Sequence, residues 1–159
     1  MFVLEKPVIL LVEDNEDDAA MIRRALKRAS IDLPLQVVSN GREGIAYLSG
    51  TGKYADPEFR IPALVLLDLH LPVVDGFGVL RWLRNQPHLD YIRVVVLTDS
   101  LDGSEAQKAY DLGANSFLTK PADFADTARL MLLLIAQWLP AGSHRRTPDE
   151  PPSPVKAAA

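Results

Sequence analysis

At 159 residues the chain has room for one domain and a short appendage, and with 48% hydrophobic and 24% charged residues it can bury a core, which excludes wholesale disorder. Its net charge of −4 disfavours nucleic acid as a partner, and the absence of cysteine excludes disulfides, thiolate metal sites and cysteine nucleophiles. Its longest apolar run, Leu130 to Ala136, falls well short of the roughly 18 residues that span a bilayer, and the N-terminus lacks the pattern of a signal peptide, so a cytoplasmic protein that does not enter membranes is expected.

Val8 to Val12 is a continuous apolar run of strand length, closed by Glu13-Asp14-Asn15. From Glu16 to Ser30, Ala19, Ile22, Leu26 and Ala29 recur at helical spacing, with acids at the start and bases at the end, as the helix dipole favours. Leu35 to Val38 reads as a second strand, and Asn40-Gly41 precedes a helix carrying Ile45, Ala46 and Leu48 that Gly50 and Gly52 stop. The stretch 51–62 is polar and rich in Gly and Pro, so a surface loop is expected there.

Ala63 to Leu67 is a third strand, closed by Asp68, and a helix follows Leu71-Pro72-Val73-Val74-Asp75-Gly76 as far as about Asn85. Ile92 to Leu97 is the fourth strand, followed by Thr98, and a short helix from about Ser104 to Leu112 ends at Gly113 as its C-cap. Ser116 to Thr119 is the fifth strand, and the last helix runs from an N-cap at Asp123 to Leu139. Residues 140–159 hold Pro140, Pro148, Pro151, Pro152 and Pro154 and almost no large apolar residue, so a disordered tail is expected, with the folded domain at 7–139. In that tail Arg145, Arg146 and Lys156 outnumber Asp149 and Glu150, which leaves the domain slightly more acidic than the chain.

Strands that are apolar throughout and alternate with helices predict a doubly wound α/β fold, its parallel sheet covered on both faces. Right-handed crossovers and the small size favour the flavodoxin-like strand order 2-1-3-4-5, in which ligands bind beyond the carboxyl ends of the strands. There the sequence places Glu13-Asp14, Asp68, Thr98 and Lys120-Pro121. Taken singly, each acid could be an ordinary cap and Thr98 a routine turn residue. Convergence on one edge favours a site, because three clustered carboxylates require a compensating cation, and an oxygen-only set suits Mg²⁺ or Mn²⁺.

In these residues, and in the run Asp68-Leu69-His70-Leu71-Pro72-Val73-Val74-Asp75-Gly76, which is similar to D-x-x-x-P-x-x-[DN]-G, the chain resembles the receiver domains of two-component response regulators. The resemblance covers about residues 7 to 139. It implies Asp68 as phosphoacceptor for a phosphohistidine of a sensor kinase, with Mg²⁺ held by Glu13 through water, Asp14, Asp68 and the backbone carbonyl of His70. It also implies that Lys120 and Thr98 bind the phosphoryl oxygens, that a cis Lys120–Pro121 peptide turns the lysine inward, and that Phe117 is the switch aromatic. Any catalysis would be slow self-catalysed phosphotransfer and dephosphorylation. Asp99 and His70 depart from the common pattern, Asp99 by adding negative charge beside Thr98 and His70 by offering an imidazole that is not expected to bind the metal.

With no output domain expected after Leu139, the chain looks like a stand-alone receiver, similar to those paired with bacterial phytochromes, and a response by protein contact rather than through DNA is expected. The last helix carries more apolar surface than one core-facing stripe needs, which suggests a homodimer through that helix and Tyr110. Three other readings bear on the same residues. A flavin carrier would have a phosphate-binding loop where Glu13-Asp14 stand, and a haloacid-dehalogenase-type phosphohydrolase would have an acid where His70 stands. A phosphorylation-independent interaction module stays open on residues alone.

Overall fold

A computed structural model describes residues 6–56 and 59–139, and the expectations for the tail at 140–159 lie outside them. Five strands, β1 (Ile9–Val12), β2 (Leu35–Val38), β3 (Leu64–Leu67), β4 (Arg93–Thr98) and β5 (Ser116–Thr119), alternate with five helices, α1 (Glu16–Arg28), α2 (Gly41–Ser49), α3 (Gly76–Arg84), α4 (Gly103–Asp111) and α5 (Phe124–Trp138). The strands pair in parallel in the order β2-β1-β3-β4-β5, as expected.

The unbroken apolar runs are explained by two cores, one on each face of the sheet. Leu10, Val12, Val65, Leu67, Val94 and Val96 point to one face, where they meet Tyr47 and Leu48 of α2, Val79, Leu80 and Leu83 of α3 and Ala109 of α4. Their neighbours Ile9, Leu11, Leu64, Leu66, Val95 and Leu97 point to the other, against Ile22, Ala25 and Leu26 of α1 and Ala128, Met131 and Leu134 of α5. A strand with period-two side chains can be apolar at every position only when both of its faces are covered.

Each α-helix opens on a side chain that accepts a hydrogen bond from the backbone of its first turn: Asn15, Asn40, Asp75, Asp102 and the expected Asp123. The expected boundaries shift slightly. α1 ends at Arg28, with Ser30 left-handed at φ 57°, α4 is capped by Leu112 with Gly113 just beyond it at φ 101°, and Thr98 is the last residue of β4 itself.

The expected surface loop at 51–62 needs correction. A 3₁₀ turn spans Gly52–Tyr54, and Tyr54 is buried. Its ring meets Tyr47 and Phe59 edge-on, with centroids 5.2 Å from each, while its hydroxyl donates to Glu43 at 3.0 Å. The loop's own aromatics close the core beside α2, and this outweighs its polar composition. Among the described residues no helix is long and apolar enough to cross a membrane.

Candidate functional site

Backbone hydrogen bonds from one strand end to the next assemble the site. Glu13 N–H donates to Val38 at 3.0 Å, Asp68 N–H to Val12 at 3.1 Å and Lys120 N–H to Thr98 at 2.8 Å. The residues just past β1, β3 and β5 are thereby fixed at one edge of the sheet. Carboxylate oxygens of Glu13, Asp14 and Asp68 lie within 4.8 Å of one another; Glu13 and Asp68 are buried and Asp14 is exposed.

Asp68 is held from two sides. The N–H of His70 donates to its Oδ1 at 3.2 Å, and Lys120 Nζ approaches its Oδ2 at 3.1 Å. Lys120 also pairs with Glu13 Oε2 at 2.7 Å and Asp18 Oδ2 at 2.8 Å, and Asp99 Oδ2 stands 3.9 Å away. The negative charge that Asp99 adds beside Thr98 therefore faces the lysine. Burial alone would lower the Lys120 pKa, but the hydrogen bonds to Asp18 and Glu13 and the charges of Glu13 and Asp68 prevail and raise it.

Glu13 moves the other way from an ordinary carboxylate. Burial pushes its pKa up to about 7, against the lowering effect of its bonds to Lys120 and to the N–H of Asn15, and the charge of Asp68 adds to the rise. A buried acid that shares its ammonium partner with Asp18 and Asp68, among other hard oxygen donors, fits a divalent cation of the Mg²⁺ or Mn²⁺ type. The same carboxyl makes cation binding depend on pH. Below about pH 7 a proton competes for Glu13, so divalent affinity should rise by up to about tenfold per pH unit on approaching pH 7 and level off above it. Calorimetric Mg²⁺ titrations from pH 5.5 to 8.5 check this, and Glu13→Gln should flatten the profile; a flat wild-type profile would contradict it.

Thr98 is fully buried at the end of β4, and its Oγ1 lies 3.4 Å from the N–H of Ser100. Ser100 Oγ donates to Glu105 Oε1 at 2.8 Å, and the other Glu105 oxygen stands 3.4 Å from His70 Nε2. The imidazole thus turns toward α4. Phe117 is not part of the carboxylate cluster. It is partly buried against the core on the α3 and α4 side, with its N–H donating to the Tyr110 hydroxyl at 3.0 Å.

The expected cis Lys120–Pro121 peptide is corrected: no cis peptide occurs among the described residues. A trans X–Pro bond is the intrinsically favoured form, and Lys120 reaches the cluster with it because the backbone bond to Thr98 sets its position.

Sequence reasoning missed Asp18 and Glu105. With Asn15 as N-cap, Asp18 falls in the first turn of α1, level with the end of β1. An acidic first turn matches the helix dipole in any helix, and the cap position is the available signal for more. Nothing in the sequence pattern marked Glu105.

Comparison with known proteins agrees with this geometry. Residues 9–131 match the response regulator receiver domain family. The chain is 36% identical over 132 residues to response regulator Rcp1 of Synechocystis sp., an alignment covering 83% of this chain and 88% of Rcp1. The crystal structure of the phosphorylated cyanobacterial phytochrome response regulator RcpA superposes with a TM-score of 0.79 at 35% identity, covering 87% of this chain and 97% of that one. The Mn²⁺-bound form of Rcp1 does so with a TM-score of 0.78 at 34% identity, covering 88% and 99%. The chain belongs to the response regulator receiver domain family.

Proposed function

We propose that this chain is a stand-alone response regulator that accepts a phosphoryl group on Asp68 from the phosphohistidine of a sensor kinase and signals through protein contacts. The observation that carries this reading is the setting of Asp68, a buried carboxylate beside an ammonium and one of an acidic trio able to hold a cation.

An Asp68 oxygen attacks phosphorus in line as the P–N bond breaks, the bonding pair leaves with the imidazole, and an acyl phosphate forms. Glu13, Asp14, Asp68 and the carbonyl of His70 would hold Mg²⁺ or Mn²⁺, which when bound supplies positive charge to the transferring oxygens. Lys120 pairs with a phosphoryl oxygen, and the Thr98 hydroxyl donates to another once the group is in place. Phe117, in contact with α4 through Tyr110, is suited to carry the change outward.

Similarity to Rcp1 and to the phytochrome response regulator RcpA supports a phytochrome-type kinase as the phosphoryl source, and membership of the receiver family supports a cytoplasmic site of action. The match to Rcp1, which covers 83% of this chain and 88% of Rcp1, supports a receiver domain at 7–139. Exposed Leu132 and Leu133 of α5 and Tyr110 of α4 support a homodimer through this surface; light scattering that gives the mass of a single chain with and without phosphoryl analogue would remove it.

The reading is tested by incubating the whole protein with Mg²⁺ and a small phosphodonor such as acetyl phosphate. One phosphoryl group should add to the intact mass, on the peptide containing Asp68, and chelation of Mg²⁺ should prevent it. No adduct under any of these conditions would overturn the reading.

A further inference from the structure

Lys120 Nζ has three hydrogens to donate, and three carboxylates, those of Glu13, Asp18 and Asp68, stand within 3.1 Å of it. The lysine side chain is only 10% exposed, so little water can take the place of a lost partner. If Asp68 is the phosphoacceptor, as proposed above, two of the three partners change during the reaction. Asp68 gives up a carboxylate charge when it forms the acyl phosphate, and Glu13 and Asp68 both belong to the trio able to hold a cation. Asp18 lies outside that trio and keeps its charge throughout.

Asp18 is also well placed to act as a fixed point. Its N–H donates to Asn15 Oδ1 at 3.0 Å, which sets it in the first turn of α1. The helix packs on α5, where Met21 Sδ lies 3.5 Å from the hydroxyl of the buried Thr127. Lys120 leads into α5, so the contact between Asp18 and Lys120 joins the entry of α1 to the end of β5 across the phosphorylation site.

From this geometry we propose that Asp18 is a positioning residue that tethers the Lys120 ammonium beside Asp68, so that a phosphoryl group arriving there meets a lysine already in place. Asp18 touches neither the phosphoryl group nor the cation, and it acts only through Lys120. One Lys120 N–H shifts its hydrogen bond from Asp68 to a phosphoryl oxygen while another goes on donating to Asp18. Without the tether, the ammonium would have to be recaptured each time the site is filled.

The test uses the full chain at saturating Mg²⁺ with beryllofluoride as phosphoryl analogue, titrated by calorimetry. Asp18→Ala should weaken beryllofluoride binding by about tenfold, and Asp18→Asn, which keeps an acceptor without the charge, should fall between Asp18→Ala and wild type. Binding of Mg²⁺ alone should change by less than about twofold, since Asp18 is not in the cation trio. In a Lys120→Gln background, Asp18→Ala should have no further effect, a result that a merely structural role would not give. Binding by Asp18→Ala equal to or tighter than wild type, or the same loss without the lysine, would overturn the tether while wild-type binding upholds the receiver reading. A wild type that binds no beryllofluoride at all would overturn both. Thermal melts of Asp18→Asn guard against misfolding, because the asparagine retains the shape and the hydrogen bond.

Discussion

Replacing Gly76 by alanine is expected to lower the stability of the fold by about 3 kcal/mol or more, the reverse of what helix propensity alone would give. Gly76 opens α3, where alanine normally gains about 1 kcal/mol over glycine. Here a Cβ would lie 2.3 Å from the carbonyl oxygen of Asp68 and 2.7 Å from Cα of Leu69. The obstacle is backbone and has little freedom to retreat. Asp68 N–H is bonded to β1, Leu69 is buried, and Gly76 N–H itself donates to the Leu69 carbonyl at 2.8 Å. Gly103, at the same position of α4, provides the control, since nothing lies within 4 Å of its added Cβ, and Gly103→Ala should be neutral or slightly stabilising. Urea denaturation of the two variants checks the contrast, and equal midpoints would contradict it. Because the crowded carbonyl is that of Asp68, any Gly76→Ala protein that does fold should also have a displaced phosphoacceptor.

The contrast between these two glycines shows where sequence reading runs out. Both precede helical residues and follow a capping aspartate, and only the path of the β3–α3 connection separates them. The sheet itself was readable, because residues 9–12 and 64–67 are apolar at every position and so require cover on both faces. The site was readable for a related reason. In a parallel sheet all strands end on the same side, so acids after β1 and β3 and a lysine after β5 meet whatever the details of the loops.

The residues that were missed act through tertiary geometry rather than through pattern. Tyr54 sits in a polar stretch and is buried because Tyr47 and Phe59 offer ring edges to it. Glu105 joins Ser100 and His70 only because α4 lies over the connection that follows β3.

Asp68→Asn should abolish phosphoryl uptake, a loss of at least about a thousandfold, while leaving the protein folded. Asparagine has nearly the shape of aspartate, and its amide oxygen can still accept the hydrogen bond from His70, but it offers no anionic oxygen to attack phosphorus. Lys120 keeps Glu13 and Asp18 as partners. The variant also removes a charge that raises the pKa of Glu13, so that carboxyl should ionise more readily and the repulsion within the cluster should ease. Stability near neutral pH is therefore expected to hold or rise slightly. Lost uptake together with a retained denaturation midpoint identifies the missing group as the nucleophile, because a collapsed site would lower both. Asp14→Asn gives the complementary case: it keeps the Asp68 carboxylate and removes one member of the cation trio, so uptake should fall but be partly restored by raising Mg²⁺. An Asp68→Asn protein that still gains one phosphoryl group under the same conditions would place the acceptor on another carboxylate and overturn the assignment of Asp68.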